Sequence, residues 1–171
     1  MKERRAYCER KELARLKDDY LSIVFDGMQQ SQMILPWYGN GDQASFELKQ
    51  KMVGCLSHYN EFVGYRVYNN VRANSNLTIH CFLSMLEREL DRRQANKDGP
   101  AGLPDTIFVQ FDGAPDNANR FLIAICELVV ACGLCKKIVT SRLMVGHTHC
   151  DIDGIIWKKT LEAVHLDPAA V

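Results

Sequence analysis

Six side chains able to bind a metal or move a proton fall in three places along this 171-residue chain. The densest place is Gly146-His147-Thr-His149-Cys-Asp151-Ile-Asp153, where four potential ligands stand at every second position. In an extended segment all four project to one side; in a helix His147 pairs with Asp151, and His149 with Asp153, at i,i+4. The other two places are Asp26 and Asp112, each closing a short apolar run and each followed by Gly. Two carboxylates brought together repel, and each raises the other's pKa unless a cation neutralises them. A hard divalent ion does so, because Mg²⁺ prefers oxygen ligands. A nearby His, with an unperturbed pKa of ~6.5, suits proton transfer. Plainer roles exist for each group. Asp-Gly often begins a turn, and Asp151 can cap a following helix while the histidines serve as turn residues.

The elements that must position these groups can be read in order. Tyr20-Leu-Ser-Ile-Val-Phe-Asp26-Gly27 reads as a buried strand running into a turn, and Thr106 to Phe111 as a second near-continuous apolar strand. If the two are adjacent and parallel, Asp26 and Asp112 emerge at one edge. Gln32 to Leu35, closed by Pro36, reads as the antiparallel partner of the first strand. Residues 39–50 read as a connection, and Phe62 to Val71 as a third strand. Asn74 to Asn76 can cap a helix in which Ile79, Phe82, Leu83, Leu86 and Leu90 recur at helical spacing, with Glu89 and Arg93 as an i,i+4 pair. Gly99, Pro100, Gly102 and Pro104 mark a loop over residues 96–104. Asp116 or Asn117 then caps an apolar helix that stops at Gly133. Lys137 to Val145 is the last strand, the His-Thr-His segment is a turn, and Gly154 to Val164 begins a final helix.

The order β-β-β-α-β-α-β-α describes an α/β fold: a mixed five-stranded sheet with helices on both faces. In such sheets polar chemistry collects at the carboxyl ends of the central strands. The expected organisation is an N-terminal surface helix over residues 1–19 and one domain over residues 20–165. Residues 1–17 carry seven basic and three acidic side chains, a net +4, read as a solvated face rather than a phosphate grip.

Lys plus Arg equals Asp plus Glu, 21 against 21, so the composition does not announce a nucleic-acid partner. It fits a domain that does chemistry while segments outside it grip the phosphates. The seven cysteines are an odd number lying largely in apolar stretches, and Met1 to Arg15 is charged rather than apolar. Reduced thiols in an intracellular protein are therefore expected, and the sequon Asn76-Leu-Thr78 carries little weight. The apolar run Phe121 to Cys135 is broken by Glu127 and falls short of the ~20 residues of a membrane span.

Leu103-Pro-Asp-Thr-Ile-Phe-Val-Gln-Phe-Asp112-Gly-Ala-Pro-Asp-Asn-Ala-Asn-Arg120, followed by Arg142-Leu-Met-Val-Gly-His-Thr-His-Cys-Asp-Ile-Asp153, resembles an uncharacterised, transposase-derived domain family of eukaryotic mobile elements. Tyr20-Leu-Ser-Ile-Val-Phe-Asp-Gly-Met28 and Pro36 match the opening of that family, and the resemblance runs from about Tyr7 to Trp157. It implies a ribonuclease H-like fold of the DDE/DDD type, with Asp26 as first acid, Asp112 as second and Asp151 or Asp153 as third. Gly113, Asp116-Asn-Ala-Asn119 and Cys150 depart from residues frequent in the family. The chemistry implied is metal-dependent phosphoryl transfer on DNA in a nuclear setting. Two Mg²⁺ or Mn²⁺ ions ~3.5–4 Å apart would be held by Asp26, Asp112 and Asp151, with His147 or His149 as general base. Glu87 and Glu89 are candidates for a fourth acid, although a solvated helix face accounts for both.

Two other readings stay in view. His147, His149 and Asp151 fit the His-x-His-x-Asp start of a zinc hydrolase signature, but Ile152 stands where that signature has His, and His165 is the only histidine after Asp151. A Cys132-x-x-Cys135 finger is poorer still, since His147 and His149 are too close to complete it. The non-enzyme reading is a catalytically inactive, domesticated core that serves as a binding module.

Overall fold

The computed structural model describes residues 2–27, 34–35, 48–68, 70, 72, 74–97, 99–111 and 120–142. Its sheet is organised around β1 (Tyr20–Gly27), which pairs antiparallel with β3 (Leu48–Ser57) on one side and parallel with β5 (Thr106–Phe111) on the other. β4 (Glu61–Tyr68) extends the sheet antiparallel beyond β3, and β6 (Lys137–Arg142) extends it parallel beyond β5. A two-residue strand, β2 (Ile34–Leu35), pairs with the first residues of β3. Three helices complete the described chain: α1 (Lys2–Leu16), α2 (Ser75–Ala95) and α3 (Arg120–Ala131).

Residues 21–25 are all buried, as a strand covered on both faces requires. Alternation along β1 sends Leu21, Ile23 and Phe25 into the main core with Cys55, Ile107, Val109 and Phe111. Phe82, Met85 and Leu86 of α2, with Leu122, Cys126 and Val129 of α3, close that core from above. Phe25 and Phe82 meet edge to face, ring centroids 6.2 Å apart. Ser22, Val24 and Asp26 point to the opposite face, where α1 lies. Helices therefore cover both faces.

The attachment of α1 is largely polar. The Tyr7 hydroxyl lies 3.0 Å from His58 Nε2, and His58 Nδ1 lies 2.8 Å from Ser22 Oγ. Arg10 donates to Ser141 Oγ at 2.7 Å, with its guanidinium 5.6 Å from the centre of the Phe108 ring. Ser22 and His58 are both buried, so this contact belongs to the interior rather than the rim.

Helix α2 begins where the sequence places it, with the Asn74 side chain accepting from the amide of Asn76. Helix α3 ends in a Schellman arrangement. The Gly133 amide donates to Val130 and the Leu134 amide to Val129, with Gly133 at φ +71°. Only one side of α3 is buried; Phe121, Ile123 and Leu128 are exposed.

One strand assignment changes. The antiparallel neighbour of β1 is Leu48–Ser57, not Gln32 to Leu35, so residues 48–50 of the expected connection are strand. The polar run Lys49-Gln-Lys51 and the side-chain-less Gly54 hide the period-two pattern that reveals a strand. Leu143 to Val145 of the expected last strand, the Asp116–Asn117 cap and the final helix lie outside the described residues. Among the described residues no helix is long and apolar enough to cross a membrane.

Candidate functional site

Asp26 sits near the carboxyl end of β1, partly exposed, on the face that α1 shares. Its register partner on β3 is Gly54, and Gly54 pairs in turn with Gly64 on β4. The row of the sheet that contains Asp26 thus carries no side chain on the next two strands. Across the parallel pair Phe25 is opposite Phe111, and in sequence Asp26 and Asp112 directly follow them. The two strands are adjacent and parallel, as the siting of two acids at one edge requires. Asp112, His147, His149, Asp151 and Asp153 lie outside the described residues, so Asp26 is the candidate whose surroundings the structure gives.

One further oxygen stands close to this row. Gln110 is opposite Val24, two residues before Asp112, and therefore shares the face of Asp26. It is buried, and its side-chain oxygen has no hydrogen-bond partner among the described residues. Oxygen donors of this kind, carboxylate and carboxamide, suit a hard divalent cation rather than a soft one. Among the described residues alone, no group of three or more His, Cys, Asp or Glu could hold a metal ion.

Glu89 has a different role from the two expected for it. It is 4% exposed and paired to two arginines, so it is neither a solvated residue nor an acid of the sheet edge. Its carboxylate accepts from Arg93 Nε at 2.8 Å, from Arg92 at 2.6 and 3.0 Å, and from Asn60 Nδ2 at 3.0 Å. Arg93 continues to the carbonyls of Gly102 and Asp18. The cluster ties α2 to the turn before β1, at the end of the sheet remote from Asp26. The helical spacing disclosed the Glu89–Arg93 pair; its burial needed the partners from other segments. The Tyr7–His58–Ser22 contact was silent in sequence, because the three residues lie on different elements and carry no spacing signature.

The described cysteines are free thiols: Cys55, Cys81, Cys126 and Cys135 are buried, Cys8 and Cys132 exposed. Burial pushes the Cys126 thiol up to about 11 and raises Cys55 and Cys135 as well. Cys132, just past the end of the apolar helix α3, is exposed all the same. With Cys135 packed in the core, the two do not present a common open face.

The profile of the domain of unknown function DUF7869 matches residues 40–158, well over half of the chain. The chain belongs to the DUF7869 family. The match begins after β1, although β1 is the centre of the sheet. No curated protein shows significant sequence similarity to the chain. Among solved structures, the Mos1 strand transfer complex aligns over 92% of this DUF7869 chain and 44% of its own, with a TM-score of 0.54 at 10% identity. The Mos1 transposase paired-end complex with left transposon end aligns over 92% and 46%, with a TM-score of 0.51 at 9% identity. A looser likeness, TM-score 0.42 at 16% identity, extends to the N. crassa QDE-2 AGO MID-PIWI domains, over 86% of this chain and 42% of that one. The chain spans less than half the length of the Mos1 chains it aligns with. The fold is ribonuclease H-like: a mixed sheet ordered β4-β3-β1-β5-β6 through its five longer strands, with helices on both faces.

Proposed function

We propose that this domain is a transposase-type core that carries out metal-dependent phosphoryl transfer on DNA. The observation that carries the reading is the parallel pairing of β1 with β5, in register up to Phe25 and Phe111, each followed directly by an aspartate. The likeness of the fold to Mos1 transposase in its complex with a transposon end supports the same class of chemistry.

In this reading Asp26, Asp112 and Asp151 hold the divalent ions, Mg²⁺ or Mn²⁺, with Asp153 as the alternative third acid and Gln110 as an added oxygen. Bound cations supply Lewis acidity and offset the charge that builds on the phosphate. His147 or His149 takes the proton from a water or 3′-hydroxyl as its oxygen attacks phosphorus. The bond from phosphorus to the leaving strand oxygen breaks, and that oxygen recovers a proton from solvent. DNA is gripped mainly by segments outside this chain, in keeping with the chain's net charge of zero and with the larger Mos1 chains.

The test is nicking of supercoiled plasmid in Mn²⁺ by the wild-type chain and by the Asp26→Asn and Asp112→Asn variants. Each variant is expected to lose more than about 100-fold, since losing a mere outer partner of a metal ligand costs 10–100-fold. Nicking that is unchanged in both variants overturns the proposal. Calorimetric titration with Mn²⁺ and Zn²⁺ separates this site from a zinc hydrolase, whose tight zinc binding would survive loss of Asp26.

A further inference from the structure

We infer that the ribbon of β3 and β4 beside Asp26 is the track for a single strand of nucleic acid, with Arg66 meeting a phosphate and Tyr68 stacking on an unpaired base. The inference deepens the function proposed above by naming where the substrate strand lies.

The register sets the geometry. Asp26, Gly54 and Gly64 form one row across β1, β3 and β4, and Arg66 and Tyr68 follow Gly64 at alternate positions of β4. Residues two apart on a strand share a face, so Arg66 and Tyr68 stand on the face that bears Asp26. From a strand spacing of ~4.8 Å and a rise of ~3.3 Å per residue, the Cα of Arg66 lies roughly 12 Å from that of Asp26. Met52, the register partner of Arg66, stands between them beside Gly64. Gly64 is exposed, and a Cβ added there would already lie 3.4 Å from Met52 Sδ.

The two side chains have the right chemistry and are accessible. Arg66 is exposed, its guanidinium 5.5 Å from the Tyr68 ring centroid, and Tyr68 is 55% exposed. An aromatic ring beside a cation is the recurring unit of sequence-tolerant single-strand binding, because every base has a face to stack. The local charge agrees. Arg66 and the exposed Arg72 follow Gly64, and the acid of β4 is Glu61. That acid sits at the opposite end of the ribbon, paired to Arg88 at 2.6 Å. The end of β4 nearer Asp26 therefore carries an arginine, and its far end the acid.

Fluorescence anisotropy tests this, with a labelled oligothymidylate and a hairpin duplex of equal length, in EDTA so that nothing is cut. Arg66→Ala is expected to weaken binding several-fold and to lower the slope of log affinity against log salt by about 1. Tyr68→Ala should weaken the single strand by on the order of tenfold and the duplex little, with Tyr68→Phe restoring affinity. Unchanged binding in both Arg66→Ala and Tyr68→Ala would mean a surface pair with no ligand and would overturn the inference. So would an equal loss on duplex and single strand, or no binding by the wild-type chain. Paired with the nicking assay, failures separate. Asp26-dependent nicking with binding indifferent to Arg66 and Tyr68 removes the track and leaves the activity, whereas the reverse pattern removes the activity and leaves the track.

Discussion

Replacing Arg93 by Met should destabilise the domain by about 3 kcal/mol. Arg93 reaches three acceptors in three segments: the Glu89 carboxylate, the Gly102 carbonyl and the Asp18 carbonyl. A hydrogen bond to a charged group contributes ~1.5–3 kcal/mol, and a buried acceptor left dry costs ~1–3 kcal/mol. The loss stays near the lower end because Arg92 and Asn60 still hold Glu89, and Arg92 is 47% exposed and free to adjust. For a protein of this length, about 3 kcal/mol corresponds to a fall in Tm of roughly 6–12 °C. The sharper measurement is a double-mutant cycle. Met at both 89 and 93 removes the buried charges together and should cost less than the two single changes combined, by ~2 kcal/mol or more. Urea unfolding followed by circular dichroism reads all four proteins. Costs that add to within ~0.5 kcal/mol, or a Tm change under about 2 °C for Arg93→Met, would refute the idea of one coupled cluster.

Three further outcomes can be checked on the purified chain. A version starting at residue 40, where the family match begins, lacks β1 and both of its ladders, so it should show neither cooperative unfolding nor near-ultraviolet dichroism; a sharp transition would show that the sheet closes without its central strand. Iodoacetamide at pH 8 should label exposed Cys8 and Cys132 well before the buried thiols. Because the Cys126 pKa is raised from 9.0 to about 11, the folded state holds that proton more tightly than the unfolded chain. Its stabilising contribution is whole below about pH 9 and is lost as pH climbs through about 11. A Cys126→Ala variant should have a flatter Tm profile across that window, and an identical profile would count against a buried neutral thiol.

Where burial and period coincide, the chain could be read directly. Thr106–Phe111 is a near-continuous apolar run between a Pro-containing loop and Asp-Gly, and it is a strand with those bounds. Asn74 begins α2 because its side chain has an adjacent amide to serve, which is a local matter. β3 escaped because its identity is decided by neighbours: three polar residues and a glycine make a strand only when β1 and β4 flank them. The same holds for Glu89, whose spacing to Arg93 was visible while Asp18, Asn60 and Gly102 came from elsewhere. At the candidate site, the alternation of strands and helices called for parallel neighbours and left the adjacency of β1 and β5 as a condition, which the structure meets. Gln110 could not be singled out, since the burial of its side chain is a property of packing rather than of residue type.

The pairing of β1 with β5 also has a kinetic side. Tyr20 is opposite Thr106, 106 − 20 = 86 positions later, so one flank of a strand with five consecutive buried residues waits for a distant segment before it can be covered. Long-range parallel pairing of this kind is slow, and a greasy ribbon left half-clothed in the meantime invites aggregation. The hairpin of β3 and β4, local and quick to form, shields the other flank first. During synthesis or refolding, solubility then hinges on how soon β5 arrives.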